Sequence, residues 1–93
     1  MGGFRIDMAH EGWSNQETWQ VALTINNDQG FYRRKLSLLS RDGKREAMAV
    51  DFKREFEKDI IAEIKKYDAG FNSKKVNWAE ITADFKANYK YEV

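Results

Sequence analysis

The chain carries a single histidine, His10, followed directly by Glu11, a pair whose imidazole and carboxylate could share a metal ion or relay a proton. A closed metal site needs further nitrogen or sulfur ligands, and the sequence has no second histidine and no cysteine to supply them. A solvated histidine is the more economical reading. A second set of acids, Asp51, Glu55, Asp59 and Glu63, recurs at intervals of four and so falls along one side of a helix, an array of oxygens that suits a hard cation. Lys53, Arg54, Lys58, Lys65 and Lys66 are interspersed with them, which makes a charged solvent face the simpler account. A glycine-rich phosphate loop, a nucleophile elbow and a dinucleotide fingerprint are all missing from the sequence. The expectation is a non-enzymatic protein without metal or other cofactor.

Basic residues offer a different chemistry, the binding of phosphates. Arg33, Arg34, Lys35, Arg41, Lys44 and Arg45 face only Asp42 and Glu46 over residues 31–46, whereas residues 1–30 carry one basic and four acidic side chains. Phe31 and Tyr32 stand beside this patch and could stack on bases. Against a nucleic-acid binder stands the net charge of only +1, because phosphate binding draws its affinity from many cations. Nucleic-acid binding through these six residues is therefore the second reading. The same charge balance excludes a strongly acidic DNA mimic.

The third possibility is recognition of another protein. The stretch GWSNQETWQVALTINNDQGFY, residues 12–32, holds two of the three tryptophans beside Asn15, Asn26 and Asn27. At 3.6 residues per turn, Asn15, Trp19, Ala22 and Asn26 fall on one line of a helix, with Leu23 beside it and Thr18, Val21 and Ile25 around the other flank. One account makes this the central helix of a bundle, with Trp19 in the core and the asparagines bonded to backbone at the turns. The other makes Trp13, Asn15, Trp19, Asn27 and Asp28 a partner-binding surface, since tryptophan flanked by amides is common at binding hot spots. Trp13 precedes the helix and is the better candidate for exposure.

Composition supports the helical frame. Ninety-three residues suffice for one domain, and 42% hydrophobic with 14% aromatic residues can fill one core. With 33% charged residues of balanced sign, the chain is expected to be soluble. No run approaches the roughly 18 apolar residues of a membrane span, and acidic residues in MGGFRIDMAHEG interrupt any secretory core. A cytoplasmic protein, monomer or homodimer, with no membrane association is expected.

There is no proline, so boundaries must be read from caps and glycines. Residues 1–12 read as an N-terminal arm, with the alternation Phe4, Ile6, Met8 suggesting a short strand or extended piece. Ser14 and Glu17 form a capping box that starts a first helix running to about Asn26. Asn27, Asp28 and Gly30 supply a turn and the cap of a second helix, about Gln29 to Ser40, with Tyr32, Leu36 and Leu39 as its apolar stripe. Arg-Asp-Gly at 41–43 marks a bend. Met48, Phe52, Phe56, Ile60 and Ile64 then describe one face of a long helix, which Tyr67 continues and Gly70 stops. In the last element Asn77 caps, Glu80 closes the box, Val76 and Ile81 form a hydrophobic staple, and Trp78, Ile81, Phe85 and Tyr89 point inward. The final NYKYEV should fray. The fold class expected is all-α: a compact bundle of three to four helices forming one domain over residues 1–93.

Three of these motifs together resemble a family of small uncharacterised proteins encoded by phages, plasmids and environmental prokaryotes. The resemblance rests on Asn15, Thr18, Trp19, Asn26, Asp28 and Gly30, read as an Asn-x-x-Thr-Trp helix and an Asn-Asp-x-Gly turn, and on a late Asn-Trp-x-Glu-Ile helix start in VNWAEI, about half of the chain. The family has no agreed activity to carry over. What it implies is a mobile-element setting, in which small single-domain proteins bind and disable a host defence component such as a CRISPR or restriction protein. The leading expectation is thus a binding protein whose partner is a host protein, met in the host cytoplasm.

Overall fold

Asn15 opens the first helix of the computed structural model, which describes residues 12–40 and 47–89. Its side-chain Oδ1 accepts the Thr18 backbone N–H at 2.8 Å, and α1 runs Gln16–Asn27. The cap is therefore Asn15 and not Ser14, whose own polar groups are drawn to another helix. Asp28 alone separates α1 from α2, Gln29–Ser40. Its Oδ1 accepts the Phe31 N–H at 2.9 Å, so one residue both ends one helix and caps the next. Gly30 serves this tight turn, since a Cβ there would meet Asp28 Oδ1 at 3.3 Å.

The third helix, α3, spans Ala49–Lys65 and starts where the Asp51 carboxylate reaches back to accept the Met48 N–H at 2.8 Å. Phe52, Phe56, Ile60 and Ile64 are fully buried, as their spacing requires. The two ends of the expected stripe depart from it. Met48 is the cap residue and is 62% exposed, and Tyr67 is 65% exposed. The helix stops five residues before Gly70. Past Lys65 the backbone tightens, with Lys66 N–H bonded to Glu63 O at 3.3 Å and Tyr67 N–H to Ile64 O at 3.1 Å, and this turns Tyr67 off the apolar face. Asp68 then accepts from Gln20 Nε2 at 3.0 Å, tying the turn to α1. A 3₁₀ turn, Ser73–Lys75, leads to α4, Trp78–Tyr89.

Among the described residues there are four α-helices and no strand, an all-α bundle. Each of the four helices, α1 included, touches the other three. Twelve buried apolar residues form one cluster, in which Phe52 stacks on Phe56 at 6.2 Å and meets Phe85 edge-on at 5.8 Å, and the half-buried Phe31 meets Phe56 edge-on at 6.2 Å. On α4 the inward residues are Trp78, Ile81, Thr82 and Phe85, while Tyr89 is half-buried. Val76 packs on the same cluster as the fully buried Ile81, consistent with the staple.

The stripe on α2 is shifted by one position. Lys35 and Leu38 are its buried residues, while Tyr32, Leu36 and Leu39 are half-buried. The single-residue link at Asp28 sets the rotation of α2, and it turns Lys35 inward. Burial is tolerated because Lys35 Nζ donates to Asn26 Oδ1 at 2.9 Å and lies 4.5 Å from the Tyr32 ring centroid and 4.6 Å from that of Phe85. The N-terminal arm up to residue 11, the 41–43 bend and the chain beyond Tyr89 lie outside the described residues.

Candidate functional site

The two sequence motifs that frame the chain turn out to hold each other. Ser14 donates from its backbone N–H to both Glu80 oxygens, at 3.2 and 3.1 Å, and from its hydroxyl to Glu80 Oε1 at 2.7 Å. Asn15 Nδ2 donates to the Lys75 carbonyl at 2.8 Å. Thr18 is fully buried and its Oγ1 accepts the Asn77 N–H at 2.9 Å, while Asn77 Oδ1 caps α4 by accepting the Glu80 N–H at 3.0 Å. The expected Ser14–Glu17 box is thus replaced by the Asn15 cap, and half of the Asn77–Glu80 box is exchanged. Glu80 reaches across to Ser14 in place of its own cap residue, and the Asn77 N–H that Glu80 would have bonded goes to Thr18.

This seam decides what the α1 candidates do. Both polar atoms of the Asn15 side chain are committed to backbone. Trp13 and Trp19 are half-buried, and Trp13 packs against the core cluster. The Ser14–Glu80 bonds pull the residues before the helix back onto α4, which is why Trp13 does not stand out into solvent. Asn27 and Asp28 are exposed, and Asp28 is occupied as the α2 cap. These five residues come together only in part, Trp13, Asn15 and Trp19 at one end of α1 and Asn27 with Asp28 at the other.

The basic segment is divided. Arg34 Nε bonds Glu55 Oε2 at 2.8 Å, its Nη2 reaches Glu55 O at 2.6 Å and Asp59 Oδ2 at 3.1 Å, and its guanidinium lies over the rings of Phe31 and Phe56 at 5.3 and 5.2 Å. The Glu55 hydrogen bond holds the Arg34 pKa above its ordinary value, opposed by partial burial and reinforced by Asp59. Arg34 and Lys35 both face the protein, and Arg33 is exposed. Arg41, Lys44 and Arg45 lie outside the described residues, as do His10 and Glu11.

The regularly spaced acids are similarly engaged. Glu55 and Asp59 hold Arg34, Asp51 caps α3 and lies 3.6 Å from Arg54, and Glu63 pairs with Lys66 at 3.1 Å. Among the described residues no group of three His, Cys, Asp or Glu is placed to hold a metal ion. No described helix is long and apolar enough to cross a membrane.

What remains is a surface that the sequence reading passed over. α4 buries Trp78, Ile81, Thr82 and Phe85 on one side, yet exposes Ala79, Ala83 and Ala87 on another. A surface helix ordinarily turns charged residues outward; one that is apolar on both faces has surface left to bury. These alanines line an open groove of about 580 Å³ with Thr82, Lys86, Ala49 and the exposed Met48. A smaller hollow of about 160 Å³, lined by Leu39, Ala47, Lys86 and Tyr89, adjoins it through Lys86. The signal in the sequence was the alanine spacing of four, which is easily read as helix-favouring filler. Comparison with known protein families, curated proteins and solved structures finds no match for this chain.

Proposed function

We propose that this chain is a non-enzymatic binding protein that engages another protein through the alanine face of α4 and its Met48 rim. The single observation that carries the reading is that α4 is apolar on its outward strip as well as its inward one, beside an open groove. Alanine at three successive i+4 positions makes a low ridge, which lets a partner helix approach to the short end of the usual 8–10 Å interaxial range. Methionine at the rim adapts its shape to what it covers. In this reading Trp13, Asn15 and Trp19 build the fold that presents the surface.

The resemblance to small mobile-element proteins supports a host protein as the partner, met in the host cytoplasm, with inhibition as the outcome of binding. Phosphate binding draws less support, because Arg34 and Lys35 are spent on carboxylates, an amide and aromatic rings within the bundle. Affinity capture from nuclease-treated host lysate tests the proposal. Wild type should retain a protein partner, and Ala83→Arg, which places a long cation on the exposed face, should lose it while melting at the wild-type temperature. Equal capture by both would remove the α4 face from consideration.

A further inference from the structure

We infer that α2 is an exchangeable arm: in a dimer of this chain each copy's α2 leaves its own bundle and seats on the other copy, with Asp28 as the hinge. The inference does not depend on the α4 reading above. Asp28 is the single residue between two helices. Helical hydrogen bonding already reaches it from both sides, its N–H donating to Thr24 O at 3.1 Å and the Tyr32 N–H to its own carbonyl at 2.8 Å. Its φ of −100° and ψ of 123° make the bend. Turning ψ to the helical value of about −42° would fuse α1 and α2 into one helix over 16–40. The hinge is unobstructed, since residues 26–30 are all exposed and the sequence has no proline. Straightening would also give the Gln29, Gly30 and Phe31 amides the carbonyls of Ile25, Asn26 and Asn27, which offsets the lost Asp28 cap.

α2 is also the helix that detaches at least cost. Leu38 is its one buried apolar residue, against three on α1, four on α3 and three on α4. Its other anchors include directed contacts, Arg34 on Glu55 and Asp59, and Lys35 on Asn26 and over Phe85. Those partners stand on α1, α3 and α4, so a second copy offers the incoming helix the same set. Exchange of an identical element through a short hinge is a low-cost route to a dimer.

Two measurements on the full chain test this. Asp28→Ala removes the cap and favours continuous helix, so light scattering up to about 1 mM should show a dimerisation constant about tenfold or more above wild type. In that dimer the Cα chemical shifts of residues 27–30 should become helical. The second measurement mixes two chains, one carrying Arg34→Glu and the other Glu55→Arg with Asp59→Arg. Alone, each sets like charges against each other where α2 meets α3. In an exchanged pair the first chain's new anion meets the second chain's new cations, and the second chain's native Arg34 meets the first chain's native Glu55 and Asp59. Heated and cooled together, the two should form a one-to-one dimer that melts above either chain alone, a readout that holds even if each alone is unfolded. A chain carrying all three substitutions is the control, because its charges match within one bundle. Should that control not fold, the Asp28→Ala dimer and its shifts decide. An Asp28→Ala chain that stays monomeric at the highest concentration, a dimer whose residues 27–30 keep the bend, or mixed chains that melt no higher than either alone beside a folded control would overturn the inference.

Discussion

Ser14 and Glu80, sixty-six positions apart, are joined by three contacts: two from the Ser14 backbone N–H and one of 2.7 Å from its hydroxyl. The carboxylate thereby fastens the approach to α1 onto the first turn of α4. Glu80→Ala should lower stability by about 1–2 kcal/mol, the worth of charge-assisted bonds at a partly exposed site. Urea unfolding checks this through a lowered midpoint with an unchanged slope. Ser14→Ala should cost less, because the backbone N–H still donates, and an unchanged midpoint for Glu80→Ala would show that the clasp contributes nothing.

Thr18 and Thr82 are both buried, but their hydroxyls do different things. Thr18 Oγ1 accepts the Asn77 N–H across the α1–α4 seam, whereas Thr82 Oγ1 donates back to the Trp78 carbonyl of its own helix at 2.8 Å. Thr18→Val should therefore cost about 1–3 kcal/mol by leaving a donor unsatisfied. Thr82→Val should fall within about 0.5 kcal/mol of wild type, since removing such a back-bond from a helix interior loses little. Thermal melts of the two variants should differ plainly, and equal melting temperatures would contradict the assignment of Thr18 to the seam.

Legibility in the sequence followed range. Asn77, Asp28 and the Phe52–Phe56–Ile60–Ile64 stripe act within a few residues of themselves, so local pattern was enough to place them. The exchange of capping partners between α1 and α4 depends on how two segments about sixty residues apart meet, which no periodicity encodes. Lys35 stands in the basic run whose pattern suggests phosphate binding, and only the rotation set by the one-residue Asp28 link turns it toward Asn26, Tyr32 and Phe85. Ala79, Ala83 and Ala87 were silent for the opposite reason, as alanine suits a helix on any face.

Phe56 is fully buried and touches Phe31, Phe52 and the Arg34 guanidinium. Phe56→Ala should cost on the order of 3–5 kcal/mol through lost contacts and the cavity left behind. Calorimetry should record a large drop in melting temperature, and an unchanged melt would contradict its place in the core.

Lys35 separates packing from charge. Lys35→Met keeps the unbranched stem under the Tyr32 and Phe85 rings and removes the desolvated ammonium, so stability should stay within about 1 kcal/mol or rise. Lys35→Ala loses the stem as well and should cost about 2 kcal/mol or more. Chemical denaturation of both variants checks this, and equal losses would show that the cation–π and Asn26 contacts dominate.

The claim that the α4 face is the binding surface is tested most directly by photo-crosslinking in host lysate from two single positions, Met48 at the groove rim and the exposed Arg33 on α2. A photoreactive residue at position 48 should join the chain to a discrete host protein, and the same residue at position 33 should not. A protein joined from position 33 and none from position 48, or nuclease-sensitive nucleic acid joined from position 33, would contradict the account.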